Sequence, residues 1–273
     1  MAGTHVDRPE PGAAVRYEHA GGLARITLAE GDRGNALHPR LGSELFRAVR
    51  RARADDARVV LLRAEGRAFS VGGDVASFAA AEDRELLVDD LAEGLHRTVS
   101  DLHRMDAVVV SAVQGTAAGA GVPLAAAADV VLAAASARFV LAYTKIGFSP
   151  DGGSSLLTAS LGLHRALHLA LLNPVLTAEQ MQAAGLVAEV HPDDELDAAV
   201  ERIVAQLLAG SRPAQLAAKR LLRGVALPEP EGALRRETLS VRACAAGPDG
   251  VEGVAAFLAK RAPDFPSAHG PCG

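Results

Sequence analysis

A chain of 273 residues, nearly half of them apolar, has room for one large domain or a domain with a helical appendage. Its formal net charge of −5, without any block of Lys or Arg, argues against a nucleic-acid partner. Aromatic residues make up only 3% and tryptophan is absent, so the core must be built from Ala, Val and Leu.

Two cysteines, Cys244 and Cys272, cannot make a disulfide framework, and Cys272 is expected in a frayed tail. That usage fits a reducing compartment. The opening MAGTHVDRPEPGAAV lacks the apolar centre of a signal peptide, and no apolar run reaches membrane-spanning length without charge or glycine. The expectation is a soluble, cytoplasmic protein that needs no membrane.

Residues 1–13 are polar and proline-bearing, and read as disordered. Val15 to His19 and Leu23 to Leu28 flank Gly21-Gly22, the pattern of a hairpin. GDRGNALHP, residues 31–39, reads as a loop. Leu41 to Ala54 places Leu41, Leu45, Phe46 and Val49 on one face and arginines opposite, which predicts an amphipathic helix. Val59 to Arg63 predicts a short strand leading into AEGRAFSVGGDV. A long helix follows from Glu82 to His103, with Leu87, Leu91, Leu95, Val99 and Leu102 as its apolar stripe.

The apolar run Ala107 to Val113 predicts a buried strand, and it feeds QGTAAGAGVPL, residues 114–124. A strand that ends in glycines and opens a small-residue helix, here Val122 to Ala128, leaves free N–H groups aimed at one spot suited to negative charge. Gly115, Gly119 and Gly121 allow a tight turn and close approach of a ligand. The same pattern also suits an ordinary strand-to-helix turn. Asp129 to Ala133 and Ala137 to Leu141 are further strand candidates, and the alternation argues an α/β fold with ligands at the strand ends.

After Pro150 the pattern is helical almost throughout, with a capping box at Thr177 to Gln180 and one last short strand at Leu186 to Val190. Helices are expected at 194–209, 213–223, 231–244 and 249–260. The domain reading is a core over 14–192, a helical region over 193–262 and a tail over 263–273.

Three pieces combine: Arg67 to Asp74 (RAFSVGGD), the glycine-rich stretch 114–124, and Phe139 to Gly153 (FVLAYTKIGFSPDGG). In this order and separation they resemble the crotonase (enoyl-CoA hydratase/isomerase) superfamily, over roughly residues 14–262. The resemblance implies a ClpP-like spiral of ββα units with a helical C-terminal region that drives trimerisation, often as dimers of trimers. It implies an acyl-CoA-processing enzyme in which CoA is part of the substrate and no separate cofactor is needed.

By the same resemblance, the backbone N–H groups of Ser70 and Ala120 form an oxyanion hole for a thioester enolate. The family's hydratases carry two glutamates at positions held here by Pro123 and Tyr143, so ordinary hydratase chemistry is not expected. Asp151 stands where certain double-bond isomerases and aryl-CoA dehalogenases of the family carry a catalytic aspartate. Isomerisation of an enoyl-CoA with Asp151 as acid/base is therefore the expected activity. A hydratase that positions its water otherwise, and a non-catalytic acyl-CoA-binding protein, are the alternatives.

Asp151 also fits a helix N-cap role, since Ser149-Pro150-Asp151-Gly152 precedes a helical run. Tyr143 either donates a hydrogen bond or walls the pocket. Ala36 and Leu37, with Ser70, Gly72, Asp74 and Gly119, match the walls around CoA. Phe257 and Lys260 match the segment that meets its nucleotide end, although Lys260 also suits a helix C-terminus. His38 is expected on a solvated loop edge. His164 and His168 share a helix face at a metal-ligand spacing, but without a third ligand no metal site is expected.

Overall fold

The computed structural model describes residues 12–269. Most of the expected disordered N-terminus, and Cys272, lie outside the described residues.

Strands β1 (Val15–Ala20) and β2 (Leu23–Leu28) form the antiparallel hairpin, joined through Gly21-Gly22. Helix α1 (Pro39–Ala54) buries Leu41, Leu45, Ala48, Val49 and Ala52, the apolar stripe of its sequence. Three strand pairs then repeat along the chain: β3 (Val59–Ala64) with β4 (Ala68–Ser70), β5 (Val108–Val113) with β6 (Thr116–Ala118), and β7 (Val130–Ala134) with β8 (Arg138–Val140).

The first member of each pair enters one sheet and the second enters another. The larger sheet runs β1-β2-β3-β5-β7-β10, and the smaller runs β4-β6-β8-β9. Within the three pairs all neighbours are parallel. The chain thus climbs by one strand in each sheet per turn, a spiral of ββα units. Every residue of β5 is buried, which explains its unbroken apolar run.

Helices α2 (Val75–Ala80) and α3 (Arg84–Arg104) lie between the first and second pairs, and α4 (Gly121–Ala126) follows the second. After β8 come a 3-10 turn at Tyr143–Ile146, another at Ser154–Leu157, and helices α5 (Thr158–Leu161) and α6 (Leu163–Leu172). Strand β9 (Leu176–Thr177) pairs with β8, and α7 (Ala178–Ala183) opens on the capping box of Thr177 and Gln180.

The last strand, β10, covers Glu189–His191 rather than Leu186 to Val190. Leu186 and Val187 are buried, but their N–H groups close the turn onto Met181 instead of joining the sheet. Among the described residues, helices α8 (Leu196–Ala209), α9 (Arg212–Ala226), α10 (Pro230–Ala246) and α11 (Pro248–Leu258) follow, then a 3-10 turn at Pro266–His269. Helix α10 lies along α3, and that contact brings two distant polar residues together.

Candidate active site

The ends of β4, β6 and β8 converge on a cavity of about 370 Å³. Its deep wall is apolar, made by Phe78, Val88, Leu95, Phe148 and Val241, and its mouth carries Arg33 and Phe257. The loop 34–37 is stitched to the turn after β4: Val71 N–H donates to Gly34 O, Leu37 N–H to Gly72 O, and Asp74 N–H to Leu37 O. Asn35 anchors that loop from within, donating through Nδ2 to the carbonyls of Glu65 and Ala68.

The turn after β4 presses against the turn after β6. Gly72 has φ +86, and a methyl added there would lie 2.8 Å from Ala118 O and 3.2 Å from Gly119 Cα. Only glycine combines that backbone with that approach. Two N–H groups at this junction, those of Gly73 and Ala120, have no protein acceptor among the described residues. Both residues line the cavity.

This corrects the expectation for Ser70. Ser70 is completely buried and does not line the cavity. Its hydroxyl donates to Asn35 O and accepts from Gly72 N–H, so it braces the turn from beneath. The free donor of this turn sits three residues later, on Gly73.

Ala36, Leu37, Asp74, Gly119, Ala120, Tyr143, Asp151 and Phe257 line the cavity as a group, whereas Ser70, Gly72 and Lys260 do not. Lys260 follows α11 as an exposed residue with φ 51, away from the lining. Asp74 faces the cavity but is engaged, capping α2 at Ala76 N–H and accepting from the Ser77 hydroxyl and Arg33.

Asp151 is buried at the end of the cavity. Its carboxylate does not cap the following 3-10 turn; its backbone carbonyl accepts from Ser154 N–H, Ser154 Oγ and the Tyr143 hydroxyl instead. The cap comes from elsewhere. Glu237, on α10, accepts from Gly153 N–H and Ser155 N–H, each at 2.7 Å. Glu237 therefore holds the loop by its backbone and leaves the Asp151 side chain turned to the cavity.

Between the two carboxylates stands His96 of α3, 5% exposed. Its Nε2 is 2.9 Å from Asp151 Oδ1 and 3.3 Å from Glu237 Oε2. Asp151 Oδ1 has no well-directed hydrogen bond, and Gly152 N–H donates to His96 Nε2 at 3.2 Å. Burial works against charge on His96, but the hydrogen bonds and negative charges of Asp151 and Glu237 outweigh it and raise its pKa to about 9. Tyr143 is held neutral: burial, then the charges of Asp151 and Glu237, push its pKa well above the usual 10. It both walls the cavity and donates a hydrogen bond.

The potential ligand atoms of His96, Asp151 and Glu237 lie within 4.8 Å of one another. Both Glu237 oxygens already accept from backbone N–H groups. His164 and His168 sit exposed on α6. His38 is not on a solvated edge: it is buried, with Nε2 2.6 Å from Glu30 Oε2.

The family description "Enoyl-CoA hydratase/isomerase" matches residues 18–268. The chain belongs to the enoyl-CoA hydratase/isomerase family. A probable enoyl-CoA hydratase of Rhodobacter capsulatus is 38% identical over 92% of this chain and 97% of that protein. The 1,2-epoxyphenylacetyl-CoA isomerase of Escherichia coli is 33% identical over 89% of this chain and 95% of its own. An enoyl-CoA hydratase structure from Mycobacterium avium subsp. paratuberculosis superposes with a TM-score of 0.85 at 35% identity, covering 93% of this chain and 98% of that one. This family member is thus an enzyme of crotonase fold, with relatives named for both hydration and isomerisation.

His96 and Glu237 were not singled out by motif. Each nevertheless falls in an apolar stripe, His96 between Ala92 and Val99 and Glu237 between Leu234 and Val241. A charged or polar residue on the buried face of an amphipathic helix is the signal that marks both.

Proposed function

We propose that this enzyme moves the double bond of an enoyl-CoA thioester, with Asp151 as the acid/base. The carrying observation is that Asp151 is a carboxylate free of capping duty, facing the same cavity as two unpaired N–H groups. Asp151 takes a proton from carbon α or γ to the thioester, the electron pair moves onto the thioester oxygen, and the N–H groups of Gly73 and Ala120 stabilise the enolate. Return of the proton at the other position completes the shift. Fixed donors of this kind contribute about 3–4 kcal/mol each to transition-state stabilisation.

The Ala120 methyl stays clear of this path by packing toward Gly152, where an added methyl would lie 3.2 Å from it. The apolar deep wall suits a hydrophobic acyl chain, and the mouth with Arg33 suits the CoA end. Pro123 and Tyr143 carry no carboxylate, and Glu237 is engaged, which leaves a water-activating pair without a second member. The similarity to the E. coli isomerase supports the same reading.

Assembly into trimers, or dimers of trimers, is part of this proposal. Leu163, Leu167, Leu171 and Leu172 on α6, with Leu221, Leu222 and Val225 on α9, are exposed apolar residues that a subunit contact would cover. The function is tested by offering 2-enoyl-CoA and 3-enoyl-CoA and weighing the products. A shifted double bond at unchanged formula supports isomerisation; gain of one water overturns it in favour of hydration.

A further inference from the structure

The buried acid/base cluster has a second outlet. His96 Nδ1 lies 3.1 Å from the Thr238 hydroxyl, and that hydroxyl lies 3.3 Å from Glu93 Oε1. Thr238 is completely buried, whereas the Glu93 side chain is 32% exposed and is held by Arg235 Nη1 at 2.7 Å. A cleft of about 400 Å³ between α1, α3 and α10 is lined by Glu93, His96, Arg97, Ser100 and Arg235. It shares no lining residue with the cavity that holds Asp151. His96 lines this cleft but not the cavity, and the buried Thr238 lines neither.

We propose that Asp151, His96, Thr238 and Glu93 form a proton relay that connects the active-site carboxylate to solvent behind the substrate. The relay rests on the reading of Asp151 as the acid/base. An acyl-CoA in the main cavity would fill the mouth and leave Asp151 with apolar walls on its open side. A rear route solves that problem without moving the substrate.

The steps balance. The relay runs from the neutral form of His96 that carries its proton on Nδ1, the form in which Nε2 accepts from Gly152 N–H; Asp151, having taken a proton from the substrate carbon, passes it to that free Nε2. The imidazolium then releases its Nδ1 proton to the Thr238 oxygen as that hydroxyl passes its own proton to Glu93. Glu93 exchanges with water. In the return half, a solvent-derived proton re-enters through Thr238 to Nδ1, and the Nε2 proton goes back to Asp151 and from there to carbon. No bond other than X–H changes in the relay, and the cluster ends as it began. Thr238 and Glu93 act through His96 and are positioning residues, not catalytic ones.

The test has one arm without substrate. In ¹⁵N-imidazole-labelled enzyme, with the His96 signal assigned by its loss in His96→Gln, exchange of the ring Nδ1–H with water is measured by NMR. Thr238→Val, which keeps the shape and removes the hydroxyl, should slow that exchange by at least ~10-fold, and Thr238→Ser should restore it. Exchange at the native rate in Thr238→Val, or no restoration by Ser, overturns the relay. If the Val variant does not fold, Glu93→Gln asks the same question, with slowed exchange expected and a native rate overturning it. In the second arm, turnover in D₂O should place less solvent deuterium in the product of Thr238→Val than of native enzyme, and equal deuterium overturns the relay. Absence of any isomerisation would instead sink the Asp151 reading, while the NMR arm still judges the relay.

Discussion

His96 Nε2 sits 2.9 Å from Asp151 Oδ1, so a helix residue from the middle of the chain supplies the counter-charge for the carboxylate that faces the cavity. Glu237 closes the cluster from the C-terminal region at 3.3 Å. The ionised carboxylate is the form that accepts a proton from carbon.

This pairing makes stability depend on pH in a defined direction. The folded-state pKa of His96, about 9, lies above its ordinary 6.5. Its contribution is therefore complete below about pH 6.5 and is lost as the pH rises through about 9. The loss across that window is on the order of 3 kcal/mol for a group this buried. Urea unfolding across the window should show the decline, and His96→Gln should flatten it. An equally steep decline in the variant would place the titrating group elsewhere.

Glu237→Ala should destabilise the fold by about 2–4 kcal/mol, because two backbone N–H groups lose their acceptor and His96 loses one of its two counter-charges. The same change should also lower turnover, since the loop 151–155 is no longer held. Chemical denaturation measures the first effect and steady-state kinetics the second. A variant as stable as the native enzyme would contradict the capping role.

Removing an oxyanion donor should cost activity far more than substrate affinity. Ala120→Pro deletes one N–H and is expected to reduce kcat by about 10²–10³ or more. Gly73→Pro, which deletes the other unpaired N–H, should cost a comparable factor in kcat. Near-native turnover in Gly73→Pro would contradict the assignment of that donor.

The exposed leucines of α6 and α9 predict an assembled state. Sedimentation should give a trimer or a hexamer, and charged substitutions at Leu167 and Leu222 should shift it toward monomer. A native monomer would leave those faces unexplained.

The larger sheet was readable because β3, β5 and β7 are buried on both faces and so appear as unbroken apolar runs. The second sheet was less readable because β4, β6 and β8 have three residues each and β9 has two, too few to show a period. Helix α2, with six residues, escaped for the same reason. Asp151, Ala120 and the two turns stood in contiguous motifs. The donor on Gly73 did not stand out, since only the pairing of Val71, Leu37 and Asp74 with the 34–37 loop shows which N–H remains free. Glu237 lies 84 residues from Gly153, and no local pattern announces a cap delivered from that distance.

The most direct measurement is the turnover of Asp151→Asn on the enoyl-CoA that the native enzyme isomerises. The side chain keeps its shape, the backbone carbonyl keeps its three donors, and only the capacity to take a proton is removed. Asp151→Asn should lower kcat at least ~100-fold with thioester affinity largely kept. Near-native turnover would contradict the acid/base role of Asp151, because the proton would then be moving through some other group.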